Sequence, residues 1–186
     1  VPLDAFHSND LKRLPKALEM VEDIGCNMLR CWGGNVYESD EFFDYCDEHG
    51  IMLWHDFIMA CGYYPQYEEF CQRLREEALV AVKRLRTHAS IVLWSGDNEC
   101  DAFCTYAYKN GKRLDPNQNV LTRKVLPEVL CAYDGFRPYL PSSPYIDETS
   151  FALIDKCRPA EDHLWGPRNY FKSDYYKKST ALFASE

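Results

Sequence analysis

Short, mostly apolar runs recur along this chain, each preceded by a helical stretch and followed at once by a polar, Gly- or Pro-marked turn. Residues 27–32, 51–54 and 91–94 are the clearest of these runs. They are too short for buried helices and lack the polar alternation of a half-exposed strand, so both of their faces must be covered. The segments between them have the other period. Leu14, Leu18 and Val21 predict a helix from about Leu11 to Ile24, stopped by Gly25. Ser39-Asp40-Glu41-Phe42 supplies an N-cap and an acidic first turn to a second helix that runs through Tyr45 and Cys46 to Gly50. A longer one, Tyr67 to Thr87, carries Phe70, Leu74, Ala78 and Val82 on one face. A helix is expected over Asp115 to Tyr133, kinked or divided at Pro127. Beyond it the pattern thins: Arg137–Pro141, Asp162–Trp165 and Thr180–Glu186 read as short strands, and Tyr170–Lys178 as a short helix.

Strand and helix alternating in this way describe an α/β protein with a parallel sheet and crossover helices. A doubly wound sheet that binds nucleotides needs a Gly-rich phosphate loop after its first strand, and neither G-x-G-x-x-G nor a P-loop occurs. The barrel is therefore preferred. With Val1-Pro2-Leu3 counted as the stub of a first strand, the chain supplies about strands one to seven of a (β/α)₈ TIM barrel, one short of closure. The expectation is one incomplete barrel domain over residues 1–186, cut from a longer protein. An open barrel exposes two strand edges, so the isolated piece is expected to be weakly stable.

Composition removes several classes of partner. The net charge of −8 offers nothing to phosphate backbones or anionic lipid, so neither nucleic acid nor a membrane surface is expected. No stretch approaches the roughly 20 apolar residues of a membrane span, and Val1-Pro2-Leu3-Asp4 does not read as the start of a signal peptide. The nine cysteines form no Cys-x-x-Cys pair and read as buried free thiols of a reducing compartment, with a cytoplasmic, bacterial setting as the expectation. Cys100 and Cys104, one helical turn apart with no His pair beside them, read as packing; no metal site is expected.

In a barrel the reactive groups gather at the carboxyl ends of the strands. In chain order those ends hold Arg30 and Trp32-Gly33-Gly34, His55-Asp56, Asp97-Asn98-Glu99, Ser142-Ser143, His163 with Trp165, and Glu186. Acids, amides and aromatics alternate, which suits a sugar pocket. Hydrolysis of a glycosidic bond with retention needs one carboxyl group to protonate the leaving oxygen and a second, about 5 Å away, to attack the anomeric carbon. Glu99 and Glu186 are the pair that strand ends place for this work. Asn98, next to the acid, is placed to hydrogen-bond the sugar 2-hydroxyl.

The segments Asn27-Met28-Leu29-Arg30-Cys31-Trp32-Gly33-Gly34-Asn35-Val36-Tyr37-Glu38, Trp54-His55-Asp56-Phe57, Leu93-Trp94-Ser95-Gly96-Asp97-Asn98-Glu99 and Phe183-Ala184-Ser185-Glu186 together resemble the barrel motifs of glycoside hydrolase family 2, its β-mannosidase-like branch in particular. The resemblance spans nearly the whole chain. It implies Glu99 as acid/base, Glu186 as nucleophile, and Trp32, Asp56, Asn98 and His163 as pocket residues. It also implies β-sandwich domains upstream and an eighth strand. The chain departs from the family's usual reading at Asp97, where Asn is customary, and at His55, where Gln is.

Each residue also has a plainer reading. Glu99 alone is an acid in a helix's first turn. Trp32 can be core, although beside two glycines at a strand end it is better placed on a cavity, where its ring suits the C–H face of a sugar. Arg30 reads equally as a buried ion-pair partner or a substrate ligand. Tyr63-Tyr64-Pro65 is a rim turn or an outer sugar platform and stays outside the site. The activity expected is that of a retaining exo-β-glycosidase with Glu99 and Glu186 catalytic and Asn98, Trp32, Asp56, Arg30, His163 and Trp165 on the substrate. No cofactor is required. Terminal β-mannosides are the first substrate class; β-glucosaminides, β-glucuronides and β-galactosides are the alternatives within the family. A non-catalytic carbohydrate-binding barrel is the alternative outside it.

Overall fold

The computed structural model describes residues 10–109, 111–154, 161–165 and 174–186. Helix α1 (Asp10–Asp23) ends at Gly25, whose φ of 69° is the left-handed conformation that terminates helices. Strand β1 (Met28–Cys31) follows, then α2 (Asp40–His49), β2 (Met52–Asp56), α3 (Glu68–Leu85) and β3 (Ile91–Ser95). Ser39 occupies the N-cap of α2 with extended backbone but makes no side-chain cap bond, whereas Asp40 and Glu41 face the positive end of the helix as its sequence predicts. In α3, Cys71, Leu74, Ala78, Val82 and Leu85 turn inward at helical spacing.

Strands β1, β2 and β3 lie side by side in parallel and in chain order, joined on the far edge by β6 (Tyr139–Leu140). Trp94, Phe57, Leu53 and Ile91 of this sheet and Phe42 and Phe43 of α2 are the bulkiest members of one hydrophobic cluster. The parallel α/β architecture read from the sequence is therefore present.

Between β3 and β6 the chain departs from expectation. Cys100–Tyr106 forms a short helix, α4, and Tyr108–Lys109 (β4) pairs antiparallel with Lys112–Arg113 (β5), neither of which the apolar pattern announces. The run from Asp115 to Tyr133 is divided beside Pro127, as its sequence allowed, but it is not helical throughout. A 3₁₀ turn over Pro116–Gln118 precedes a π-helical turn over Leu121–Val125, which runs directly into an α-helix, α5 (Leu126–Tyr133), with Pro127 in its first turn. A proline has no N–H to give the preceding turn, and Thr122 O there accepts the Tyr139 hydroxyl at 2.8 Å.

The later strands also need correcting. After α6 (Glu148–Ala152), β7 (Glu161–Asp162) pairs in parallel with β8 (Phe183–Ala184), which follows α7 (Asp174–Lys177). The two are shorter than the expected strands over 162–165 and 180–186 and form their own small sheet, so the described strands do not make one continuous seven-stranded sheet. Pro138 and Pro141 flank β6, and a residue without an N–H cannot continue a ladder. The expected stub at Val1–Leu3 lies outside the described residues, as does the first part of the helix expected over 170–178.

Candidate active site

Residues at the ends of several parallel strands converge on one pocket of about 1320 Å³. Arg30, in β1, is its hub. Its guanidinium donates to Asp56 Oδ2 at 2.8 Å and Oδ1 at 3.3 Å, to Asn98 Oδ1 at 2.9 Å and to Glu186 Oε1 at 2.9 Å. Nη1 also lies 3.2 Å from His163 Nε2. One side chain thus ties together the ends of β1, β2, β3, β7 and β8. Its charge also lies 5.4 Å from the centre of the Trp54 ring, against which Phe183 of β8 stacks at 5.9 Å. This stacking fastens the small β7–β8 sheet to the large one.

Asp56 does not face the pocket, as expected of a substrate ligand, but lies fully buried behind Arg30. Besides the guanidinium it accepts the Gly33 N–H at 3.0 Å and the Trp54 indole N–H at 2.9 Å. Burial pushes its carboxyl up to about 6, against the opposing pull of Arg30 and those two donors. Gly33 is required for this approach: a Cβ there would overlap Met59 O and come within 2.8 Å of Phe57 O, both backbone atoms.

Glu99 lines the pocket and is the N-cap residue of α4, one place before the first-turn position of its plainer reading. Its φ of 60° is left-handed, and its N–H donates to Ser143 O at 2.8 Å. The carboxylate turns to His163, whose Nδ1 lies 2.7 Å from Glu99 Oε1 and 3.5 Å from Glu186 Oε2. A guanidinium only donates, so Nε2 of His163 accepts and the ring proton sits on Nδ1, toward the two carboxylates. Oxygens of Glu99 and Glu186 lie within 4.8 Å of one another. Trp165, exposed rather than held in a strand, donates its indole N–H to Glu186 Oε2 at 2.8 Å, and Trp32 lines the wall near Asn98.

Three residues that strand-end reasoning left out of the site belong to this cluster. Ser143 Oγ lies 3.1 Å from His163 Nε2 and 2.7 Å from Glu161 Oε1, and Cys61 Sγ lies 3.4 Å from Glu99 Oε2. Ser143 followed an apolar run and was visible as such; Glu161 and Cys61 carried no signal. Both departures from the family's usual sequence fall outside the pocket lining. His55 is buried among Tyr37, Phe43 and Trp94, and Asp97 turns to the Cys100 N–H at 3.1 Å and the Ser142 hydroxyl at 2.5 Å.

Glu99, His163 and Glu186 have the spacing of metal ligands, as do Asp44, Asp47 and His88 on the surface. In the pocket, however, Arg30 already sets a positive charge beside Glu186, and Trp165 occupies its other oxygen. Cys100 and Cys104 are buried in α4.

No protein-family model matches the chain. Individual proteins do. It is 39% identical over 152 residues to a β-mannosidase of Capra hircus, an alignment that covers 77% of this chain and 17% of that one. It is 39% identical over 146 residues to β-mannosidase B of Aspergillus fumigatus, covering 73% and 17%. The crystal structure of a β-D-mannosidase from Dictyoglomus thermophilum superposes with a TM-score of 0.77 at 38% identity, over 91% of this chain and 21% of that one. The chain belongs to glycoside hydrolase family 2, in its β-mannosidase-like branch. It spans about a sixth of the length of the curated family members it matches, 17% in both cases above. No helix among the described residues of this family member is long and apolar enough to cross a membrane.

Proposed function

We propose that this chain is most of the catalytic (β/α)₈ barrel of a longer retaining β-glycosidase that removes terminal β-mannosides. One observation carries the reading: carboxylate oxygens of Glu99 and Glu186 within 4.8 Å of each other across one pocket. A pair this close suits direct attack on the anomeric carbon, whereas an inverting pair stands about 6.5–9.5 Å apart to admit a water. Parallel strands β1, β2, β3 and β6 in chain order, with Arg30, Asn98, Glu99, His163 and Glu186 toward or just beyond carboxyl ends, support the barrel. The 17% span of the curated relatives supports a longer parent chain, and the β-sandwich domains upstream are what the family resemblance implies.

Glu186 attacks the anomeric carbon, with its charge balanced and its oxygens oriented by Arg30 and Trp165. Glu99 gives its proton to the departing oxygen and then takes one from the incoming water. Asn98, held by Arg30 through its amide oxygen and with one amide N–H toward Cys61 Sγ, has its second N–H for a sugar hydroxyl. Trp32 and Trp165 offer ring faces to the sugar. The mannoside preference rests on the relatives, which are β-mannosidases. Proton NMR of the first sugar released from p-nitrophenyl β-mannoside by the full gene product tests the scheme. The β-anomer, formed faster than from the glucuronide, galactoside or glucosaminide, is expected; an α-anomer formed first, or no turnover of any of the four, overturns it.

A further inference from the structure

Among the described residues only Glu99 (φ 60°) and Cys61 (φ 51°) are non-glycine residues with positive φ, and their side chains meet. Backbone of this kind is strained for a residue with a side chain and persists where surrounding bonds hold it. Here those bonds run between the two. The Cys61 N–H donates to Asn98 O at 2.7 Å, the Asn98 N–H donates to Met59 O at 2.9 Å, and Asn98 Nδ2 lies 3.5 Å from Cys61 Sγ. The loop is braced from behind as well: Tyr64 Oη accepts the Ala60 N–H at 3.0 Å and donates to Ala60 O at 3.3 Å. The thiol is therefore carried on a fastened turn, with Sγ 3.4 Å from Glu99 Oε2, and it lines the pocket.

We propose that Cys61 is a positioning residue for the acid/base step, its S–H holding Oε2 of Glu99 while His163 holds Oε1. The two contacts set the plane of the carboxyl group so that its proton faces the leaving oxygen. Burial and the bond to Glu99 both raise the thiol above its ordinary value, which keeps the sulfur a donor. This inference rests on the assignment of Glu99 as acid/base, and the test separates the two.

In the full gene product, Cys61→Ala and Cys61→Ser are compared on a β-mannosyl disaccharide, whose leaving oxygen needs a proton, and on 2,4-dinitrophenyl β-mannoside, whose leaving group does not. A weak hydrogen bond of about 1 kcal/mol corresponds to roughly a fivefold rate effect. Cys61→Ala is expected to lower kcat/KM about fivefold on the disaccharide and less than twofold on the dinitrophenyl glycoside. Cys61→Ser, nearly isosteric and a donor, is expected to recover most of the loss, and it supplies the comparison if the alanine variant fails to fold. Equal loss on both substrates, no loss on either, or serine no better than alanine overturns the role. Glu99→Gln with normal turnover of the disaccharide would instead remove the acid/base assignment on which it stands.

Discussion

Glu99 and Glu186, 87 residues apart in the sequence, address the same nitrogen: His163 Nδ1 lies 2.7 Å from an oxygen of the first and 3.5 Å from an oxygen of the second. A group in that position senses both carboxylates. Arg30 fixes the same triangle from the opposite side of the imidazole, at 3.2 Å from Nε2.

The two carboxylates are expected to fail in different ways. In Glu186→Ala, kcat should fall by on the order of 10⁴-fold or more, with azide restoring turnover and giving the α-glycosyl azide. In Glu99→Ala the loss should be about 10²–10⁴-fold on poor leaving groups, and azide should give the β-product. NMR of the azide adducts reads both; exchanged configurations would exchange the roles.

Arg30 should be a stability residue as much as a site residue. Asp56 is fully buried, and Arg30→Met leaves it without its counter-charge, a loss of about 3 kcal/mol or more. Arg30→Met with Asp56→Asn should recover part of that loss while activity stays absent. Urea unfolding of the three proteins measures it, and a double variant no more stable than Arg30→Met would contradict the pairing.

Gly33→Ala should disable the pocket without touching a polar group of it. The added methyl meets Met59 O and Phe57 O, backbone atoms of the loop that carries Cys61. A destabilisation of about 1–3 kcal/mol and a raised KM are expected, since overpacking of this kind forces backbone shifts. Unchanged thermal unfolding and KM would show that the loop gives way freely.

Asp97 predicts a pH dependence. Burial, with the Asp101 charge, raises its carboxyl to about 8. The unfolded chain would release that proton near the ordinary value of about 3.9. Between the two, the folded state binds the extra proton, so this group's contribution is complete at low pH and is lost as pH rises toward 8. Asp97→Asn keeps the Oδ1 acceptor for the Cys100 N–H and cannot ionise. Its stability relative to wild type should therefore improve between pH 4 and pH 8, by up to about 1.4 kcal/mol per pH unit. Parallel stability curves over that range would rule out a protonated Asp97.

Much of the framework was legible in the residues themselves. Apolar runs at 27–32, 51–54 and 91–94 became β1, β2 and β3 within a residue or two, because a strand covered on both faces has no alternative to continuous hydrophobicity. The rule that strand ends collect function then picked Arg30, Asn98, Glu99, His163 and Glu186, which the fold brings into one pocket. Local sequence also marked the turns at Gly25 and Gly50, since only the residue type was needed to see them. What tertiary structure alone decided are the partnerships. Asp56 became the buried anchor of Arg30, Cys61 reached Glu99 from 38 residues away, and β7 with β8 formed a separate small sheet. Side-chain direction at a loop or a two-residue strand depends on which distant backbone accepts its N–H groups. Hydrophobic periodicity carries no record of that choice.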